Sequence, residues 1–264
     1  MLTPPNILTI AGSDSGGGAG IQADIKTIMA LGGYGMSVIT ALTAQNGEGV
    51  QGIHDPGADF VVTQLRCVRE GFPVHAAKTG MLFSAAIIEA VSNELATRTF
   101  PLVVDPVAVS QSGSKLLQDD AVAALRERLI PLADVLTPNR PEAEALAEMP
   151  ITTPEDIATA SARLLKRGAR AVLIKGGHFE GNVMVTDWLC EPDQPPVPLR
   201  QAHVDTTNNH GTGCTLSAAI AVNLGLGLPL KVAVTKAQEY VNLALRKSYA
   251  PGKGCGPLNH AARV

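Results

Sequence analysis

The chain has 264 residues, of which 45% are hydrophobic and 17% charged, with a formal net charge of −3. That composition describes a well-buried globular protein and excludes a disordered chain. With no basic run, and only three Tyr, five Phe and one Trp, a nucleic-acid face or base-stacking platform is excluded too.

Residues 6–11 form a short β-branched run, the pattern of a buried first strand. A glycine-rich stretch, residues 12–20, leads into a helix over 19–31 whose Ile21, Ile25, Ile28 and Met29 share one face. Strand, glycine loop and helix open dinucleotide folds, but Asp14 and a serine pair interrupt the loop and no ribose-binding acid ends a second strand. A strand over 34–44 ends in Gln45-Asn46-Gly47, and helices follow over 58–70 and 84–95. Between those helices, residues 76–81 read as a strand; residues 102–107, after the second helix, read as another, with Asp105 at its exit. Helix 119–129 precedes a strand exit at 134–142, where Pro141 can open a helix. Helix 154–167 ends at Gly168, and the strand that follows carries Lys175 before Gly176-Gly177-His178. Segments 182–189 and 200–204 read as antiparallel strands, with residues 191–198 as their turn. Helices over 215–224 and 230–249 follow, and then an irregular tail over 252–260. Alternating strands and helices predict a mainly parallel sheet covered on both faces, with a small antiparallel element. No composition shift divides the chain, so residues 1–264 read as one domain.

The most pointed stretch is Asn208-Asn209-His210-Gly211-Thr212-Gly213-Cys214-Thr215, which runs into an apolar helix. Gly211, Thr212 and Gly213 can turn three consecutive N–H groups toward one point at a helix N-terminus, a seat for phosphate or developing anionic charge. Cys214 falls on the first helical turn, where a thiol is usually easier to ionise. The plainer alternative is a glycine loop before a core helix with a small buried cysteine.

Other polar strand exits gather on the same sheet edge: Gln45, Met81 beside Gly80, Asp105, Asn139 with Glu142, and Lys175. Such a set suits phosphoryl transfer, with a lysine for phosphate oxygens and carboxylates and an amide for hydrated Mg2+. Neither a Walker loop nor a G-x-S-x-G elbow is present. The six histidines lack metal-ligand spacing and read as structural. The four cysteines are dispersed, which suggests reduced thiols, with Cys67 in the core and Cys190 and Cys255 incidental. The amino-terminal residues lack the order of a signal peptide, and no apolar run reaches membrane-span length, so a cytoplasmic protein is expected.

These motifs together resemble the hydroxymethylpyrimidine (phosphate) kinases of thiamine biosynthesis. The resemblance rests on residues 11–24, 40–46, 78–81, 104–107, 137–143, 174–178, 208–215 and 256–260, in order along nearly the whole chain. It implies a ribokinase-like α/β fold, a homodimer, and transfer of the γ-phosphoryl of ATP with Mg2+, K+ being an optional addition. The implied acceptors are 4-amino-5-hydroxymethyl-2-methylpyrimidine and then its monophosphate. By motif position, Gly12, Asp24, Gln45 and Met81 contact the pyrimidine, and Lys175 stabilises phosphate charge. Asn139 and Glu142, with Asp105, organise Mg2+ through water. Gly211, Thr212 and Gly213 form the anion hole, and Cys214 is the base. The chain departs from the family pattern at Asn209, which replaces a threonine, and at Ala108 in a run that is usually bulkier. Two related readings are a pyridoxal kinase of the same superfamily and a catalytically silent pyrimidine binder. A silent homologue would lose Lys175, the glycines or Cys214, and this chain retains all of them.

Overall fold

The computed structural model describes residues 3–107, 120–176 and 183–262. The first strand, β1 (Asn6–Asp14), puts Ile7 into the core on one face of the sheet and Leu8 and Ile10 into the core on the other. In chain order come α1 (Gly20–Ala30), β2 (Tyr34–Asn46), β3 (Gly49–His54), α2 (Ala58–Gly71), β4 (Ala76–Thr79), α3 (Ala85–Leu95) and β5 (Leu102–Val104). After them come α4 (Ala121–Ala124), β6 (Val135–Leu136), α5 (Arg140–Ala147), α6 (Pro154–Lys166) and β7 (Val172–Ile174). The last elements are β8 (Met184–Cys190), β9 (Val197–Ala202), α7 (Thr212–Gly225) and α8 (Leu230–Arg246).

Among the described residues, the nine strands belong to one sheet in the order β3-β2-β1-β4-β5-β6-β7-β8-β9. The six central strands are parallel, and β3, β8 and β9 add antiparallel pairs at the two edges. One face is covered by α2 through α6 and the other by α1, α7 and α8, each over its own apolar layer. Strands buried on both faces need nearly continuous apolar sequence, and Leu102, Val103 and Val104 show it, all fully buried. Helix starts follow local chemistry. Asn139 with Glu142, and Thr153 with Asp156, form reciprocal capping boxes, each with proline in the first turn.

Several expectations change. Residues 49–54 form the edge strand β3, which lacks the apolar alternation that announces a strand. The first strand runs on to Asp14 through an irregularity between Ala11 and Ser13. The helix expected over 119–129 is α-helical only at Ala121–Ala124, continues as a π-turn at Leu125–Leu129, and has Asp119 outside the described residues. Strand β9 begins at Val197 and tolerates Pro198, since an edge strand needs no further ladder donor. Cys67 is exposed on α2 instead of in the core. Gly177, His178, Asn182 and Ala108 lie outside the described residues.

Candidate active site

A cleft of about 700 Å³ opens at the carboxyl ends of the parallel strands. Every residue expected at the site lines it except one: Gly12, Gln45, Met81, Asp105, Asn139, Glu142, Lys175, Gly211, Thr212, Gly213 and Cys214 are present. Asp24 is the exception. It is fully buried on α1, accepts a hydrogen bond from Thr9 Oγ1 at 2.6 Å, and pairs with the equally buried Lys78 at 3.1 Å.

One wall of the cleft is built by the glycine loop. The Asp14 carboxylate accepts N–H bonds from Gly16, Gly18 and Ala19 at 2.8, 3.0 and 2.8 Å. Amides that would cradle a pyrophosphate therefore already hold the chain's own carboxylate, which removes the dinucleotide reading. His210 Nε2 lies 3.0 Å from Asp14 Oδ2 and 3.3 Å from the Gln45 amide nitrogen. Burial pushes the Asp14 carboxyl up, but His210 and the loop amides outweigh burial and hold it below its ordinary range. The Gln45 side-chain oxygen also accepts a hydrogen bond from Thr43 Oγ1 at 3.1 Å, so the amide is held in place on the cleft wall. Met81 packs against Gly12, where an added Cβ would lie 2.5 Å from the Met81 Cε.

The opposite wall carries charge. Lys175 Nζ donates to Asp105 Oδ1 at 2.8 Å, and Thr137 Oγ1 donates to the same carboxylate at 3.3 Å. Burial pulls the Lys175 ammonium down, but Asp105 and Glu142 outweigh it and hold its pKa at about 12. A cation that stays protonated throughout the working range suits phosphate oxygens. Gly176 N–H donates to the buried Asp187 Oδ1 at 2.7 Å, and Gln238 Nε2 donates to Asp187 Oδ2 at 2.7 Å. Gly176 adopts φ +61°, so these bonds fix the turn that follows Lys175.

Helix α7 begins at the floor between the two walls. Gly211, with φ +86°, is its N-cap. Thr212 N–H turns back to Asn209 O at 3.3 Å, so it does not join the expected row of three donors. Among the described residues, the N–H groups without a partner at this terminus are those of Gly211, Gly213 and Cys214. Three such groups at a helix N-terminus, 3.3 Å from Lys175 Nζ at the Gly213 Cβ position, make an anion seat.

The Cys214 thiol does not have the lowered pKa that its helix position predicts. Burial pushes it up to about 11; Lys78 pulls it down, Asp24 and Asp105 push it further up, and the Gly20 amide pulls it down again. The helix N-terminus is outweighed because the half-buried thiol is poorly solvated and feels the negative charges of Asp24 and Asp105. Cys214 is therefore a neutral thiol at rest.

The donor set also limits what metal the site can hold. Asn139 Oδ1 accepts the Glu142 amide at 2.9 Å, and Glu142 Oε2 accepts the Asn139 amide at 2.8 Å. Among the described residues no group of three or more His, Cys, Asp or Glu side chains could chelate an ion. These oxygens fit a hydrated Mg2+ that takes its remaining ligands from water and phosphate.

Asp14 and His210 line the cleft and were not singled out by sequence reasoning, and Lys78 lies buried next to Gly80, which lines it. The tail also takes part. Cys255 N–H donates to Gly47 O at 2.8 Å, Gly256 N–H donates to Asn208 Oδ1 at 3.1 Å, and His210 N–H donates to Gly256 O at 3.1 Å. Residues 255–257 thus tie the β2–β3 turn to the loop that carries His210.

The sequence profile of the family described as phosphomethylpyrimidine kinase matches residues 14–259. A hydroxymethylpyrimidine/phosphomethylpyrimidine kinase of Streptomyces coelicolor is 46% identical over 259 residues, spanning 98% of this chain and 95% of the relative. Among solved structures, a Bacillus subtilis pyridoxal kinase in complex with ADP superposes with a TM-score of 0.90 at 36% identity, covering 98% of both chains. A phosphomethylpyrimidine kinase from Clostridium difficile 630 gives a TM-score of 0.78 at 41% identity, covering 90% of this chain and 97% of that one.

Proposed function

Because the chain belongs to the phosphomethylpyrimidine kinase family, we propose that it phosphorylates 4-amino-5-hydroxymethyl-2-methylpyrimidine and then the monophosphate, with ATP as donor, in thiamine biosynthesis. The observation that carries this reading is one cleft in which an amide-lined acceptor wall, a lysine of high pKa and an unpartnered helix N-terminus face each other.

In the first transfer, the bond between the γ-phosphorus and the β–γ bridging oxygen breaks while the acceptor oxygen bonds to that phosphorus. Gln45, Gly12 and Met81 orient the pyrimidine so that its hydroxymethyl group points at the α7 terminus. Lys175 and the N–H groups of Gly211, Gly213 and Cys214 carry the charge that spreads over the phosphoryl oxygens. Asn139 and Glu142 would hold a hydrated Mg2+, which would supply charge neutralisation for the nucleotide phosphates. Asp105, engaged with Lys175, positions that lysine.

Cys214 receives the acceptor's proton. With a pKa of about 11, ionising the thiol at pH 7 costs about 5 kcal/mol at 1.36 kcal/mol per unit. That cost fits within a barrier of about 16 kcal/mol, which corresponds to roughly ten turnovers per second. The thiolate is thus a transient species: the thiol first releases its proton to water, and the acceptor hydroxyl then restores it. The second transfer attacks with a phosphate oxygen that is already anionic and needs no base.

We read residues 1–264 as one kinase domain acting as a cytoplasmic homodimer. The domain reading is supported by the single sheet and the extent of the family match. Among the described residues, no helix is long and apolar enough to cross a membrane. Light scattering checks the dimer.

The test is an ADP-release assay with Mg-ATP, with and without K+, offering hydroxymethylpyrimidine, its monophosphate and pyridoxal in parallel. Turnover of both pyrimidines with pyridoxal much slower is expected. Pyridoxal as the dominant acceptor would move the chain to the vitamin B6 kinases it resembles in structure, and ligand binding without turnover would restore the silent-binder reading.

A further inference from the structure

The kinase reading assigns no task to Lys78 or to the carboxylate of Asp24. Both side chains are fully buried, and they meet at 3.1–3.2 Å through both carboxylate oxygens. A buried ion pair of this kind adds little net stability over an apolar pair of similar volume, so its location is the informative feature.

Three observations put the pair under the cleft floor, beside the first turn of α7. Gly20 is the first residue of α1, and α1 and β4 both pack against α7, whose first turn carries Cys214. Asp24 stands four residues on, one turn along the same helix face. Lys78 Nζ lies 3.0 Å from where a Cβ on Gly80 would stand, and Gly80 lines the cleft. Lys78 therefore fills the layer between Asp24 and the cleft floor. Four charged groups act electrostatically on Cys214: Asp24 on α1, Lys78 on β4, Asp105 beyond β5 and Lys175 beyond β7. Lys175 is paired with Asp105 and borders the anion seat, so a phosphoryl group there competes for its charge. Lys78 has no access to that seat.

We infer that Lys78 is a positioning residue for the reaction: its ammonium offsets the negative charge on Cys214 before the acceptor's proton arrives, and Asp24 holds Lys78 in place. The inference rests on the reading of Cys214 as the base. Burial opposes the Lys78 charge, yet Asp24 and the neighbouring Cys214 and Asp105 keep it above its ordinary range. Asp24 acts on the sulfur with the opposite sign, so the pair also limits how readily the thiolate forms.

The opposite signs give the test. Alkylation of Cys214 by iodoacetamide is followed from pH 7 to 10 by peptide mass spectrometry, with exposed Cys67 as the internal reference. K78M is expected to slow Cys214 alkylation at pH 8.5 by about tenfold and D24N to speed it by a similar factor, since one pKa unit is tenfold in thiolate. K78R is expected to stay within about threefold of the parent. If K78M does not fold, comparing D24N with K78M/D24N carries the same test, because neither leaves a carboxylate unpaired. Faster alkylation in D24N is then the supporting result. K78M and D24N moving the rate in the same direction, or neither moving it, overturns the inference. Alkylation requires no turnover, so failure here is distinct from failure of the kinase reading in the ADP-release assay.

Discussion

His210 and Asp14, 196 residues apart in sequence, meet at 3.0 Å and join the glycine loop to the helix that carries Cys214. The same carboxylate binds three loop amides, so one side chain fixes both the acceptor wall and its distance from the anion seat. Replacing it with an amide in D14N removes two of the acceptor sites and loosens the loop. The KM for the pyrimidine is expected to rise about tenfold, with the KM for ATP changing less. Steady-state kinetics with each substrate varied in turn checks this split.

The two phosphoryl transfers separate the roles at the α7 terminus. C214A removes a proton acceptor but leaves the backbone donors in place. Loss of a general base typically costs 10²–10⁴-fold. The first phosphorylation is therefore expected to fall by about a hundredfold or more, and the second by less than about tenfold. Single-turnover rates with the alcohol and with the monophosphate give the comparison, and equal losses would count against the base role.

Gly211 tests the seat itself. At φ +86° a side chain is strained, and a Cβ there would fall on the Gly18 carbonyl oxygen. G211A is expected to cost about 2 kcal/mol in stability and to abolish both transfers, because it displaces the donors that both use. Thermal melts together with the two rates distinguish this from the selective effect of C214A.

Acid should weaken the fold through two groups. Burial holds the His260 imidazole down at about 4, in contact with Thr215 Oγ1 at 3.0 Å. A depressed folded value contributes stability above the unfolded value near 6.5 that is lost as pH falls toward 4. The loss reaches about 3 kcal/mol from a shift of that size. Asp14, also depressed, adds to the loss at lower pH still. H260Q is expected to flatten the melting temperature between pH 6.5 and 4, measured by calorimetry.

The parts of the site that were legible in sequence carry short-range signals. Gly211-Thr212-Gly213-Cys214 before an Ala-rich run, Lys175 at a strand exit and the Asn139–Glu142 capping box each lie within a few residues. The parts that were not legible depend on distance along the chain. Lys78 and Asp24 are 54 residues apart, so nothing local reveals that Asp24 turns away from the cleft. His210 had no metal-ligand spacing and was set aside as structural, whereas its partner is a carboxylate at the other end of the sequence. Helix position alone predicted an easily ionised Cys214; partial burial and the charges of Asp24 and Asp105, tertiary properties, reverse that. The parallel core was readable from its β-branched runs, but β3 was hidden because both its faces are largely open to solvent.

The tail that joins the β2–β3 turn to the His210 loop has a consequence for how activity arises during synthesis. Sheet strands from residue 6 to residue 202 can pair as they leave the ribosome, yet the loop at 208–210 lacks its backbone partner until residue 256 emerges. A nascent chain paused before that point would lack both the core residues Leu258 and Ala262 and the backbone partner of the His210 loop. The floor of the cleft is therefore completed by one of the last segments of the chain to be made.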